Sequence, residues 1–118
     1  MLVEGVGGWA VPLNHSMTVE DLALRLRLPV VIVAANRLGV INHTLLTAEA
    51  VRESGLNLAG VVINNGTAAP GPLQGWNVDD LRRWLGPGTS IATIGRVEAG
   101  LEAETGETIL SALGLSSL

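Results

Sequence analysis

Glu4 stands between a short apolar run, Met1 to Val3, and a loop with glycines at positions 5, 7 and 8. The run reads as the end of a buried strand, and ligands of open parallel α/β sheets lie beyond such strand ends. A carboxylate delivered there can meet a metal ion or a phosphate-bound water. Gly7 and Gly8 leave backbone N–H groups able to approach an anion with no Cβ in the way. A plain turn capped by an acid fits the same residues, because a lone carboxylate before glycines serves both readings. Two other polar groups follow apolar stretches: Asn42-His43 after Leu38-Gly39, and Asn64-Asn65-Gly66 after a β-branched run. Taken alone, the first suits a helix cap with a solvated imidazole and the second a turn.

One absence decides more than these motifs. All seven basic residues are arginines, so the chain contains no lysine. A phosphate-binding loop of the form G-x-x-x-x-G-K-[ST] needs a lysine ammonium on the β and γ phosphates, and the chain is therefore not a self-sufficient P-loop enzyme. With no cysteine there is no disulfide framework, thiolate metal site or cysteine nucleophile. A net charge of −4 with scattered arginines, only Arg82-Arg83 being adjacent, leaves no electrostatic footprint for nucleic acid. The apolar runs are strand length with polar flanks, and the N-terminus lacks the basic start of a signal peptide, so no membrane partner and a cytoplasmic location are expected. At 118 residues, a single domain over 1–118 is expected; a hydrophobic fraction of 47% and mean hydropathy of +0.42 point to surface meant to be covered.

The elements that would position these groups alternate along the chain. Asn14 to Ser16 is a polar turn. Thr18, with Asp21 three residues on, forms a capping box that opens a helix to about Arg27; Leu22, Leu24, Leu26 and Leu28 supply its apolar content and Pro29 stops it. Val30 to Ala35 is a continuous β-branched run, expected as a central parallel strand covered on both faces. A helix then runs to about Ser54, with Leu45, Leu46, Ala48 and Val51 on its apolar side and Glu49, Arg52 and Glu53 outward, before Gly55 ends it. Leu58 to Ile63 is a second buried strand. Residues 67–75, rich in Gly, Pro and Ala, read as a loop, with Asn77 capping a short helix from Val78 to Leu85. Ser90 to Ile94 is the last strand. Val97 to Leu113 is a closing helix with Ala99, Leu101, Ala103, Ile109, Leu110 and Leu113 on its buried face. Trp76 and Trp84 are expected to pack in the core, since nothing basic interleaves with them. The pattern is β-α-β-α-β-α-β-α, with parallel crossovers, starting abruptly on a strand.

The order of residues resembles one family, the dethiobiotin synthetases. Glu4-Gly5-Val6-Gly7-Gly8-Trp9 and Val11-Pro12-Leu13 are similar to the loop that supplies a magnesium-binding glutamate there. Thr18-Val19-Glu20-Asp21, Leu28-Pro29-Val30, Leu38-Gly39-Val40-Ile41-Asn42-His43, Leu45-Leu46-Thr47, Gly55-Leu56 and Gly60-Val61-Val62-Ile63-Asn64 follow in the family's order. The resemblance implies an α/β, three-layer parallel sheet of partial P-loop NTPase-like (Rossmann-like) fold, the carboxyl-terminal portion of the family's domain without its N-terminal P-loop portion.

That resemblance further implies ATP and Mg2+ as cofactors. Glu4 would be the metal ligand, with Gly7, Gly8 and Asn64 as nucleotide-binding residues, Asn64 contacting adenine. Val11, Pro12, Leu38, Gly39 and Asn42 would bind the substrate, 7,8-diaminopelargonate, with the Leu38 to Asn42 segment reaching across a homodimer interface. The implied reaction closes a cyclic urea: an amine forms a carbamate with CO2, ATP phosphorylates it, and the second amine displaces phosphate. The family's phosphate loop, lysines and metal-binding aspartate precede its glutamate loop, and the family's proline after the last strand is replaced here by Ile94-Gly95-Arg96. Alone, the chain is expected to be inactive, pairing with a separately encoded P-loop half or being truncated. The alternative is a noncatalytic dimerising or ligand-binding module derived from that fold.

Overall fold

The computed structural model describes residues 1–5, 7–66, 71–95, 97 and 102–115, with the side chains of 102 and 103 excepted. Arg96 and residues 67–70 of the expected 67–75 loop lie outside the described residues, as do Ala99, Leu101 and the side chain of Ala103. Three parallel strands form the sheet: β3 (Val30–Ala35), β4 (Leu58–Asn64) and β5 (Ser90–Ile94), in the order β3-β4-β5. Helix α2 (Val40–Glu53) connects β3 to β4, and α3 (Pro72–Leu85) connects β4 to β5. Because both crossovers step in the same direction across the sheet, both helices fall on one face. They pack there on a shared cluster containing Val40, Ala48, Val61, Ile63, Val78, Leu81 and Leu85.

Alternation along β4 builds the second face. Val61 and Ile63 turn toward α2 and α3, whereas Val62 joins Ala92 and Leu113 in a smaller cluster with Ile109 at the end of α4 (Glu102–Ala112). The result is three layers, α2 and α3, the parallel sheet, and α4. In α2 the buried residues Val40, Thr44, Ala48 and Val51 recur at helical spacing, so one stripe of the helix carries the packing. At the end of the layer remote from the strand carboxyl termini, Arg52 Nη2 donates to Leu85 O at 2.9 Å and to Thr89 Oγ1 at 2.7 Å, satisfying a carbonyl of the last turn of α3.

Several sequence expectations are corrected. Val30 to Ala35 forms a strand, yet it lies at an edge of the described sheet, and Val33 is 66% exposed; β4, flanked on both sides, takes the central place. Met1 to Val3 is exposed and forms no strand, because no described strand pairs with it. A short antiparallel hairpin, β1 (Pro12–Asn14) with β2 (Met17–Thr18), flanks the polar turn, where Ser16 N donates to Asn14 Oδ1 at 2.9 Å. Helix α3 starts at Pro72, five residues before the expected cap: proline suits a first helical position, where an N–H has no partner anyway, and Gln74 Oε1 accepts from Gly71 N at 2.9 Å. Asn77 is therefore a buried residue within the helix. Leu46, Leu110, Trp76 and Trp84 are exposed, lying off the stripes that face the sheet.

Gly60 sets the approach of β5 and α4 to the central strand. A Cβ at this position would lie 2.8 Å from Ser90 O and 2.5 Å from Leu113 Cδ2. The backbone oxygen cannot yield without disturbing the ladder between β4 and β5. Gly60→Ala is expected to destabilise the fold by about 1–3 kcal/mol, read as a lower urea midpoint at unchanged slope.

Candidate functional site

The glycine loop is held by the helix that follows it. Helix α1 (Val19–Leu26) presents N–H groups in its first turn that lack intrahelical partners, and three of them are filled by the chain itself. Val19 N donates to Val11 O at 3.0 Å, Glu20 N to Trp9 O at 3.1 Å, and Asp21 N to Thr18 Oγ1 at 3.2 Å. Reciprocally, Thr18 N donates to Asp21 Oδ2 at 2.7 Å, completing the expected capping box. The helix ends after Leu26 with Arg27 in the left-handed conformation at φ 53°.

Residues 8–13 thereby form a strap over the start of α1. Val11 N closes it by donating to Gly8 O at 3.2 Å. Gly7 adopts φ +89°, and a Cβ there would meet Val11 Cγ2 at 3.1 Å, so this glycine is required by both its backbone angle and its neighbour. Glu4, Gly7, Gly8, Val11 and Pro12 are all exposed. No described hydrogen bond joins residues 1–29 to the sheet, and no group of three metal-ligating side chains assembles among the described residues.

A second part of the site lies at the carboxyl ends of the strands. Gly39, at φ +93°, begins α2 without a side-chain cap, and a Cβ on it would reach within 3.3 Å of the His43 ring. Leu38, Gly39, Ile41, Asn42, Leu45, Leu73, Asn77 and Trp84 line a predominantly apolar groove of about 510 Å3. Leu38 is 93% and Trp84 69% exposed. The structure thus brings Leu38, Gly39 and Asn42 together in one groove. Asn64 ends β4 nearby in the topology, its Oδ1 accepting from Gly66 N at 2.8 Å to form a tight side-chain turn.

Sequence reasoning missed an amide network at these strand ends. Asn36 follows β3; its Nδ2 donates to Asn65 Oδ1 at 2.7 Å and to Gln74 O at 3.1 Å, and its Oδ1 accepts from Asn77 Nδ2 at 2.9 Å. The position of Asn36, a polar residue directly beyond a parallel β-branched strand, is the signal that could have found it. The Asn77 signal was misleading, since asparagine favours caps.

Parallel strands with helices on both faces, a glycine strap and polar residues at the strand ends define a P-loop NTPase-like α/β layer. The chain belongs to the family described as AAA domain, whose model matches residues 1–115. Over 119 aligned residues it is 41% identical to the ATP-dependent dethiobiotin synthetase BioD of Pseudescherichia vulneris, covering 99% of this chain and 49% of that protein. Over 63 residues it is 64% identical to the protein of the same name from Cellvibrio japonicus (strain Ueda107), covering 53% of this chain and 28% of that protein. These relatives bear out the resemblance read from the sequence, and the chain spans about half the length of the Pseudescherichia vulneris protein. Among the described residues no helix is long and apolar enough to cross a membrane.

The capping box makes the strap sensitive to acid. Hydrogen bonds from the Thr18 backbone, then from its side chain, hold Asp21 below its ordinary value of 3.8. Because the folded state binds this proton more weakly than the unfolded chain, the contribution to stability is complete above 3.8 and is lost as pH falls through the lowered value. The Thr18 amide resonance should titrate with a midpoint below 3.8, and Asp21→Asn should abolish that titration.

Proposed function

We propose that this chain supplies one wall of an ATP-dependent dethiobiotin synthetase site, as a single unit over residues 1–118 equivalent to the carboxyl-terminal portion of the family's domain. The observation that carries this reading is the match across 99% of the chain at 41% identity, which includes the strap and the groove. Mg-ATP would supply the phosphoryl group that activates a carbamate of 7,8-diaminopelargonate for ring closure. Glu4, a lone carboxylate on an exposed loop, fits one ligand of a magnesium ion that takes its other ligands from nucleotide oxygens and water. Gly7 and Gly8 leave room for backbone approach to phosphate, and Asn64 offers its amide to adenine.

Substrate binding falls to the groove and the strap. The apolar walls at Leu38, Ile41 and Leu45 suit an alkyl chain, and the uncapped start of α2 at Gly39 suits its carboxylate, with the Asn42 amide beside it. Val11 and Pro12 would border the substrate from the strap. The exposed Leu38, Leu73 and Trp84 form an apolar surface suited to a second copy of the chain, so that the groove becomes a homodimer contact. Phosphate charge would be neutralised by lysines outside these residues, on a P-loop portion either separately encoded or removed by truncation, since residues 1–118 contain none. A cytoplasmic setting belongs to the same reading.

Calorimetric titration of Mg-ATP into the purified chain, with and without 7,8-diaminopelargonate, tests it. Magnesium-dependent binding is expected, and Glu4→Ala should weaken the magnesium dependence about tenfold or more. The chain alone should give no turnover; turnover would show that no separate phosphate loop is needed. Binding of neither ligand by a folded dimer would instead support the noncatalytic module. Light scattering in the same buffer should report a dimer, converted to monomer by Leu38→Asp, which places a charge on the apolar contact.

A further inference from the structure

Three polar residues are buried among those described: Asn36, Thr44 and Asn77. Two of them belong to one amide network at the carboxyl ends of the strands, where ligands of parallel sheets bind. Asn36 is 8% exposed and makes three side-chain hydrogen bonds, to Asn65, to the Gln74 carbonyl and to Asn77. Its backbone N–H donates to Asn64 O at 2.8 Å, and Asn65 N donates to Ile94 O at 2.8 Å. One side chain thus fixes the residue after Asn64 to β3 and to the first turns of α3, while the backbone ties the same point to both neighbouring strands.

We propose that Asn36 is a positioning residue for nucleobase selection, holding the Asn64-Asn65-Gly66 turn so that the Asn64 amide presents one fixed face to a purine. The proposal rests on the assignment of Asn64 as the base contact. Adenine offers an N7 acceptor beside an N6 donor, matched by the donor and acceptor of one asparagine amide; guanine offers two acceptors on that edge. Gly66 N–H, 2.8 Å from Asn64 Oδ1, fixes which side of the amide carries the oxygen. That orientation rejects guanine only while the turn is held. Asn36 holds it from behind, without reaching the base, through Asn65.

Adenosine and guanosine are the probes, because a nucleoside needs no phosphate loop. Their dissociation constants are measured by chemical-shift titration of the full chain and of the variants Asn64→Ala, Asn36→Leu and Asn65→Ala. Asn65→Ala cuts the link while leaving Asn36 its bonds to α3, and serves if Asn36→Leu does not fold. The expected result is a preference for adenosine that Asn64→Ala removes and that Asn36→Leu or Asn65→Ala reduces about tenfold, with faster hydrogen exchange at the Gly66 amide. If Asn64→Ala removes the preference but Asn65→Ala leaves both preference and exchange intact, Asn36 has no positioning role and the base assignment stands. If the chain shows no preference, or Asn64→Ala does not change it, the base assignment fails and the positioning role fails with it.

Discussion

Burial of β4 on both faces and along both edges is the constraint on which the rest of this structure depends. Its residues alternate between the α2–α3 layer and the α4 layer, and its ladder registers β3 on one side and β5 on the other. A strand so enclosed has no freedom to slip, because a shift of one residue would exchange Val62 with Ile63 between two differently shaped clusters. The carboxyl ends of all three strands are thereby set relative to one another. Asn36, Asn64 and Ile94, each at or just past such an end, inherit their positions from this packing.

The α2–α3 layer is secured at both of its ends by polar groups of different kinds. At the strand carboxyl termini the Asn36 amide joins β3, β4 and α3; at the opposite end the Arg52 guanidinium joins α2 to the final turn of α3 and to Thr89. Between them lies an apolar contact. The arrangement satisfies buried carbonyls that would otherwise cost stability, and it fixes the angle at which Leu38, Leu73 and Trp84 border the groove.

What the sequence made legible was what local chemistry determines. The Thr18–Asp21 capping box spans three residues, and the β-branched runs of β3 and β4 need no knowledge of their neighbours, so these elements appear where expected. Pro72 was hidden inside a Gly/Pro-rich stretch, because the features that mark a loop also permit a helix start. The Asn36 network was unreadable for a different reason: its bonds connect residues 29, 38 and 41 positions apart. Trp84 illustrates a third limit. Its type argues for burial, but only the rotation of α3 relative to the sheet decides which way it points. Within the candidate site, Gly7 was evident as a glycine that leaves the backbone bare, whereas its positive φ, that of Gly39, and the groove that gathers Leu38, Asn42 and Asn77 emerged only with the folded chain.

The strap over α1 has a consequence for how the molecule opens. Its hydrogen bonds run between residues 8–13 and the first turn of α1, and none of those described reaches the sheet. The hairpin, strap and helix are therefore expected to loosen together at less cost than global unfolding. The carboxylate at position 4 is thus mounted on a segment that no described hydrogen bond ties to the sheet, whereas the asparagines at the strand ends are bonded directly to it. The two halves of the candidate site are therefore held by different means, one by a local cap and strap, the other by the sheet itself.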